Sequence, residues 1–94
     1  MPHWMKMDRD TRLKRLRFRA WHRGTKEADL MIGGFYDHCA HAWSDAEIEW
    51  FEAFLEEQDV DIMAWAMKVQ EIPARWQGPM MERLCRLDFV KIEE

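Results

Sequence analysis

The sequence predicts an all-α fold, a compact bundle of five short helices. Three observations carry that prediction. Apolar residues recur at helical spacing in five stretches separated by turn or cap residues. Beta-branched residues and Asn-Gly-type turn pairs are scarce, which argues against sheet. At 94 residues the chain is one domain, residues 1–94, with a modest core to which six Trp and eight Met contribute large side chains.

The first helix should run from about Arg9 to His22. Residues 1–8 form a loose lead-in, and 91–94 a loose tail. Leu13, Leu16 and Ala20 share one face, with Phe18 and Trp21 flanking it on the other side. Arg12, Arg15, Arg19 and Arg23 form a basic stripe beside the apolar one. Gly24 then stops the helix, because without a Cβ it enters positive φ at no steric penalty.

Thr25 is placed to cap a second helix from Lys26 to about Ala42, with Glu27 in its first turn, where the helix dipole favours a carboxylate. Ala28, Ile32, Phe35, Cys39 and Trp43 line its core face. Gly33 and Gly34 are read on the outer side, either admitting a partner's backbone or marking a kink. The Arg23 to Glu27 corner sets two charged residues close together. They pair with each other or face another protein.

Ser44-Asp45-Ala46-Glu47 is a capping box that opens a third helix. Ile48, Phe51, Phe54 and Leu55 face inward. Glu49, Glu52 and Glu56 form an outer acidic stripe, able to pair with the arginine stripe of the same molecule. A fourth helix begins after Gln58 with Asp59 as cap and Asp61 in its first turn. It buries Ile62, Met63, Ala66 and Met67, carries Trp65 at its edge and ends at Ile72-Pro73. A connector with a short turn around Trp76 leads to Gly78-Pro79, the start of a fifth helix that packs through Met80, Met81, Leu84, Cys85 and Leu87.

Charge is divided along the chain. Residues 1–26 hold nine Lys/Arg and two Asp/Glu, a balance of +7; residues 27–94 hold five and sixteen, a balance of −11. A basic helix on an acidic body orients a charged partner. It does not suit nucleic acid: the helix after the Arg23-Gly24 turn would bring Glu27, Asp29 and Asp37 against phosphates. No apolar run approaches the roughly 20 residues of a membrane span, and no membrane insertion is expected. Cys39 and Cys85 are too few and too far apart for a disulfide framework, which suggests reduced thiols and a cytoplasmic setting.

Catalytic patterns are missing. The only serine, Ser44, is accounted for as a cap, and no Gly-rich phosphate loop occurs. His38, Cys39 and His41 lack metal-ligand spacing. These features predict neither an enzyme nor a metal protein but a protein-binding module, with Trp65 either core or an interface anchor.

Two motifs go further. Arg23-Gly24-x-x-Glu27-x-Asp29, followed by Phe35, and then Leu55-Glu56-x-x-Asp59-x-Asp61-Ile62-Met63-x-Trp65 resemble the signature of the SdhE family over about residues 9–88. These are bacterial FAD assembly factors for succinate dehydrogenase, with mitochondrial relatives. The resemblance implies a small five-helix bundle that binds the flavoprotein subunit of succinate dehydrogenase or fumarate reductase. It would promote covalent attachment of FAD to a histidine of that subunit. FAD would be the partner's cofactor, and none would be bound stably by this chain. Arg23, Gly24 and Glu27 would be the functional patch, with Asp29 beside it, Arg19 on the basic stripe, and Asp59 and Trp65 in the second motif. Some family members are labelled antitoxins, which gives an alternative protein-binding role.

Overall fold

The computed structural model describes residues 9–87. Five helices follow one another: α1 (Arg9–Trp21), α2 (Lys26–Cys39), α3 (Asp45–Phe54), α4 (Asp59–Ala66) and α5 (Pro79–Arg86). Single 3₁₀ turns at Ala40–Ala42 and Ala74–Trp76 complete the order, and there is no strand among the described residues. The loose ends expected at residues 1–8 and 91–94 lie outside the described residues.

The elements start where local chemistry dictates. Thr25 caps α2, its Oγ accepting from the Ala28 amide at 3.2 Å. Ser44 and Glu47 close the capping box at α3 from both directions, at 3.2 and 2.9 Å. Pro79 sits in the first turn of α5, where its missing N–H costs nothing.

α4 differs from expectation at both ends. Gln58, not Asp59, is the N-cap residue, and Asp59 is the first helical residue with its carboxylate turned elsewhere. The helix ends at Ala66 rather than Ile72. Lys68 adopts φ 60°, and the amides of Lys68 and Val69 fold back to the carbonyls of Trp65 and Ala64. This is a Schellman motif with lysine in the left-handed position that glycine normally takes. Met67 therefore leaves the core and is exposed, while Ala64 and Trp65 are buried.

The core is aromatic. Phe35, Tyr36, Trp43 and Phe51 meet between α2 and α3, with Trp43 and Phe51 ring centroids 4.8 Å apart. Phe54 continues it into a second group with Trp50, Trp65 and Trp76. Tilted and edge-to-face pairs of this kind add about 0.5–1.5 kcal/mol each beyond area burial.

α1 lies on α2 with Leu16 and Ala20 buried, and the Tyr36 hydroxyl donates to the Leu13 carbonyl at 2.8 Å. Gly33 is buried in this contact, not presented outward. A Cβ there would overlap the ring of Trp21. The group that approaches this glycine is therefore a side chain of the chain's own α1, not a partner's backbone. We expect Gly33→Ala to destabilise the protein by about 1–3 kcal/mol through overpacking. Urea denaturation should show most of that loss recovered when Gly33→Ala is placed in a Trp21→Leu background. An equal cost in both backgrounds would show that the ring is not the obstacle.

Candidate functional site at the α1–α2 corner

The corner is built by a clamp. Arg23, just past α1, sends its guanidinium across to the α3–α4 junction. Nε donates to Asp59 Oδ1 at 2.7 Å, and Nη2 donates to the carbonyls of Leu55 at 3.0 Å and Glu57 at 3.3 Å. The side chain is only 12% exposed. Leu55 caps the C-terminus of α3, so the guanidinium satisfies carbonyls that the helix leaves without an internal partner. Asp59 in turn places a carboxylate in the first turn of α4, where the dipole favours it.

The Arg23 backbone joins the same construction. Its amide donates to Asp29 Oδ1 at 2.6 Å, so Asp29 in α2 holds the turn that precedes its own helix. Between the two anchors Gly24 adopts φ +114°, with nothing within 4 Å of where a Cβ would project. Glu27 follows in the first turn of α2. It is exposed and has no hydrogen-bond or ion-pair partner among the described residues. Arg23 and Glu27 thus do not pair with each other: the arginine holds the fold and the glutamate stands free.

The remaining site residues divide in the same way. Arg19 reaches Glu56 at 3.2 Å and Arg12 meets Glu52 through Nε at 3.0 Å, while Arg9 bonds Asp45 at 2.8 Å. Three residues of the basic helix are thus neutralised by acidic ones within the molecule. Trp65 is buried at 6% exposure, packed against Phe54, so its ring is core and not a surface anchor. Asp59 is held by Arg23. Glu27 and the Gly24 backbone remain as the groups the corner presents outward, beside Lys26.

A residue the sequence reading passed over, Glu57, locks the junction from the other side. Its carboxylate accepts from Arg75 at 2.6 Å and from Trp76 Nε1 at 2.9 Å. Those bonds hold its carboxyl below the usual range, the Arg75 bond contributing most. The serine amide of the capping box, followed by Arg83, holds Glu47 low in the same way. No periodicity reports the bonds to Arg75, Trp76 and Arg83, because those partners lie 18 or more residues away.

The surface offers little for chemistry. One shallow cleft of about 260 Å³ is lined by His38, Cys39, His41, Ala42, Arg83 and Arg86, and another of about 340 Å³ lies around Lys68, Met81 and Cys85. No group of three or more His, Cys, Asp or Glu among the described residues could hold a metal ion. No described helix is long and apolar enough to cross a membrane.

The chain is similar to known proteins over most of its length. A family model described as "flavinator of succinate dehydrogenase" matches residues 14–88. The chain is 37% identical over 73 residues to the FAD assembly factor SdhE of Acetobacter pasteurianus, covering 78% of this chain and 67% of that protein. It is 38% identical over 68 residues to the mitochondrial succinate dehydrogenase assembly factor 2 of Mycosarcoma maydis, covering 72% of this chain and 29% of that protein. The corresponding factor of Cryptococcus neoformans is 36% identical over 78 residues, covering 82% and 45%. The matched region is thus less than half of the two fungal proteins and two thirds of the bacterial one.

Two outcomes follow for the clamp. Arg23→Lys keeps the charge but loses the forked donor geometry. It should cost about 1.5–3 kcal/mol, the range for hydrogen bonds to a charged group, in urea denaturation. A cost no larger than that of Arg15→Lys would mean the clamp contributes nothing. For Glu57, a carboxyl held low in the folded state stabilises above its unfolded value, about 4.3, and loses that contribution as pH falls through the folded value. Glu57→Gln should therefore melt below wild type at pH 6, and the gap should close towards pH 3. A gap of constant size would contradict this.

Proposed function

The chain belongs to the family of succinate dehydrogenase flavinators, the SdhE family, and from that membership we propose that it binds the flavoprotein subunit of succinate dehydrogenase and promotes covalent attachment of FAD to it. Fumarate reductase's flavoprotein is a second client of the same kind. The protein acts as an assembly factor and not as an enzyme. Bond formation belongs to the flavin and to the partner's histidine.

The observation that carries this reading is the free carboxylate of Glu27 beside an open Gly24 backbone, on a corner fixed at Asp59, Leu55, Glu57 and Asp29. A group without an internal partner, held on a rigid support, is suited to recognition. Holding two reacting groups in a near-attack geometry can supply on the order of 7–11 kcal/mol of a barrier without any catalytic side chain. On this reading Glu27 accepts hydrogen bonds from the partner, Gly24 admits its backbone closely, and Arg23, Asp29 and Asp59 keep both in place. Arg19 and Trp65 act within the fold.

Glu27→Ala is the discriminating variant, since the side chain is exposed and touches nothing that holds the fold. We expect its urea midpoint to stay close to wild type, the lost first-turn carboxylate costing about 0.3–1 kcal/mol. Its affinity for the purified apo flavoprotein subunit should fall about 30-fold, the scale of an interface hot spot. Covalent flavin, read as in-gel fluorescence after addition of FAD, should form correspondingly more slowly. Gly24→Arg should abolish the complex as well, but it also strains the backbone by about 1–3 kcal/mol. Unchanged binding and flavinylation in Glu27→Ala would remove Glu27 from the interface. No complex with wild type would remove the client.

A further inference from the structure

The sequence shows a continuous basic stripe on α1, but the structure discharges most of it internally. Arg9, Arg12, Arg17, Arg19 and Arg23 are paired with Asp45, Glu52, Asp37, Glu56 and Asp59. Between Arg9 and Arg23 only Lys14 and Arg15 have no acidic partner among the described residues, and both are exposed. They flank Phe18 on the helix's outward face, at about 40° and 60° to either side of it.

Phe18 is 64% exposed, a large apolar ring set outside the core. It is not loose. The ring of His22 stacks on it, with centroids 3.9 Å apart and planes 17° from parallel. His22 Nδ1–H donates to the Phe18 carbonyl at 2.7 Å and fixes the stack. An exposed aromatic already ordered by its neighbour loses little side-chain entropy when something covers it.

We propose that Lys14, Arg15 and Phe18 form a second half of the docking surface, taking an acidic segment of the flavoprotein partner that sets an apolar residue against the Phe18–His22 stack. This rests on the assembly-factor reading above and assigns the surface beyond the Arg23–Glu27 corner. Charge selects the occupant. Two free cations are too few for a nucleic-acid backbone, where specific binders neutralise roughly 6–10 phosphates. Residues 27–94 carry −11, which repels any extended polyanion but leaves a local acidic segment free to meet Lys14 and Arg15. The stripe is continuous with the corner, since His22 directly precedes Arg23. Arg15 and Trp21, the last residue of α1, are six residues apart, about 9 Å along the helix, and Arg23 follows two residues later. The footprint therefore has a positive end at Lys14 and Arg15 and a negative end at Glu27. A partner with the opposite order of charges can dock in one orientation only, which is what positioning a flavin against its acceptor requires.

The test compares Lys14→Glu/Arg15→Glu, Phe18→Ala and Glu27→Ala in binding to the purified apo flavoprotein subunit, at several salt concentrations. The double charge reversal should slow association about tenfold at low salt, and salt, which slows wild type, should no longer slow the variant, because it screens the new repulsion. Phe18→Ala should speed dissociation about tenfold with little change in association. Both should retain the wild-type urea midpoint. A photoreactive benzoylphenylalanine at position 18 should cross-link to a partner peptide rich in Asp and Glu. If the double reversal associates like wild type while Glu27→Ala fails to bind, the second surface is wrong and the assembly-factor reading stands. If wild type forms no complex, both fall. A cross-link to a neutral or basic peptide overturns the acidic occupant. Binding to phosphatidylglycerol vesicles that the double reversal abolishes, with the flavoprotein complex intact, assigns the stripe to a membrane surface and also overturns it.

Discussion

Everything the corner does depends on where one guanidinium goes. Arg23 leaves α1 and enters the α3–α4 junction, where three acceptors from separate residues close on it. A planar fork with five donors is suited to that task, and an ammonium is not. The consequence is geometric. The turn between α1 and α2 is fixed at its first residue by the junction and by Asp29, so Gly24 and Glu27 are presented from a frame and not from a loop. Helices of 8–14 residues cannot hold such a frame alone. The frame comes from ties between distant segments, and Glu57, with Arg75 and Trp76, provides the matching tie on the other side of the junction.

The arginine clamp is also the last rung of a ladder. Along α1, Arg9, Arg12, Arg19 and Arg23 meet Asp45, Glu52, Glu56 and Asp59 in ascending order, so α1 runs in the same direction as α3 and the start of α4. The exposed rungs contribute little individually, about 0.2–1 kcal/mol each. Their larger effect is on what remains. The division of charge in the sequence, +7 against −11, becomes mostly internal pairing. Among the charges left over, Lys14 and Arg15 stand midway along α1 and Glu27 in the first turn of α2. Local placement, more than net charge, governs how a partner is oriented.

The five helices, the capping box, the Thr25 cap and the turn at Trp76 were legible in the sequence because each depends on residues a few positions apart. Both charged stripes were visible for the same reason, together with the option that they pair. What was not legible was longer in range or against residue type. Asp59 reads as a cap from its neighbours, yet a residue 36 positions away claims its carboxylate. Met67 fits an apolar period, but the chain turns at Lys68 with no glycine to announce it. Gly33 reads as an outward gap until Trp21 is seen over it. In the site, Arg23, Gly24 and Glu27 stand together in the sequence as one motif, but only the structure separates the residue that holds from the residue that is offered. Phe18 was placed as a flank of the core. Its position on the same outward face as Lys14 and Arg15 was computable from the helical angle, and its exposure was not.

On the proposed reading, the factor assists a reaction that is not its own by positioning. It can bias which geometry its partner populates, by at most the difference in its affinity for the partner's states. To favour the reactive arrangement a hundredfold that difference must reach about 2.7 kcal/mol, twice the 1.36 kcal/mol of a tenfold step. One carboxylate with a well-placed donor is on that scale, but only if it does not move to follow the partner. A glutamate on a flexible loop would bind every state equally well and shift nothing. The arginine that touches no partner is therefore as necessary to the proposed action as the glutamate that does, because rigidity converts a contact into a preference.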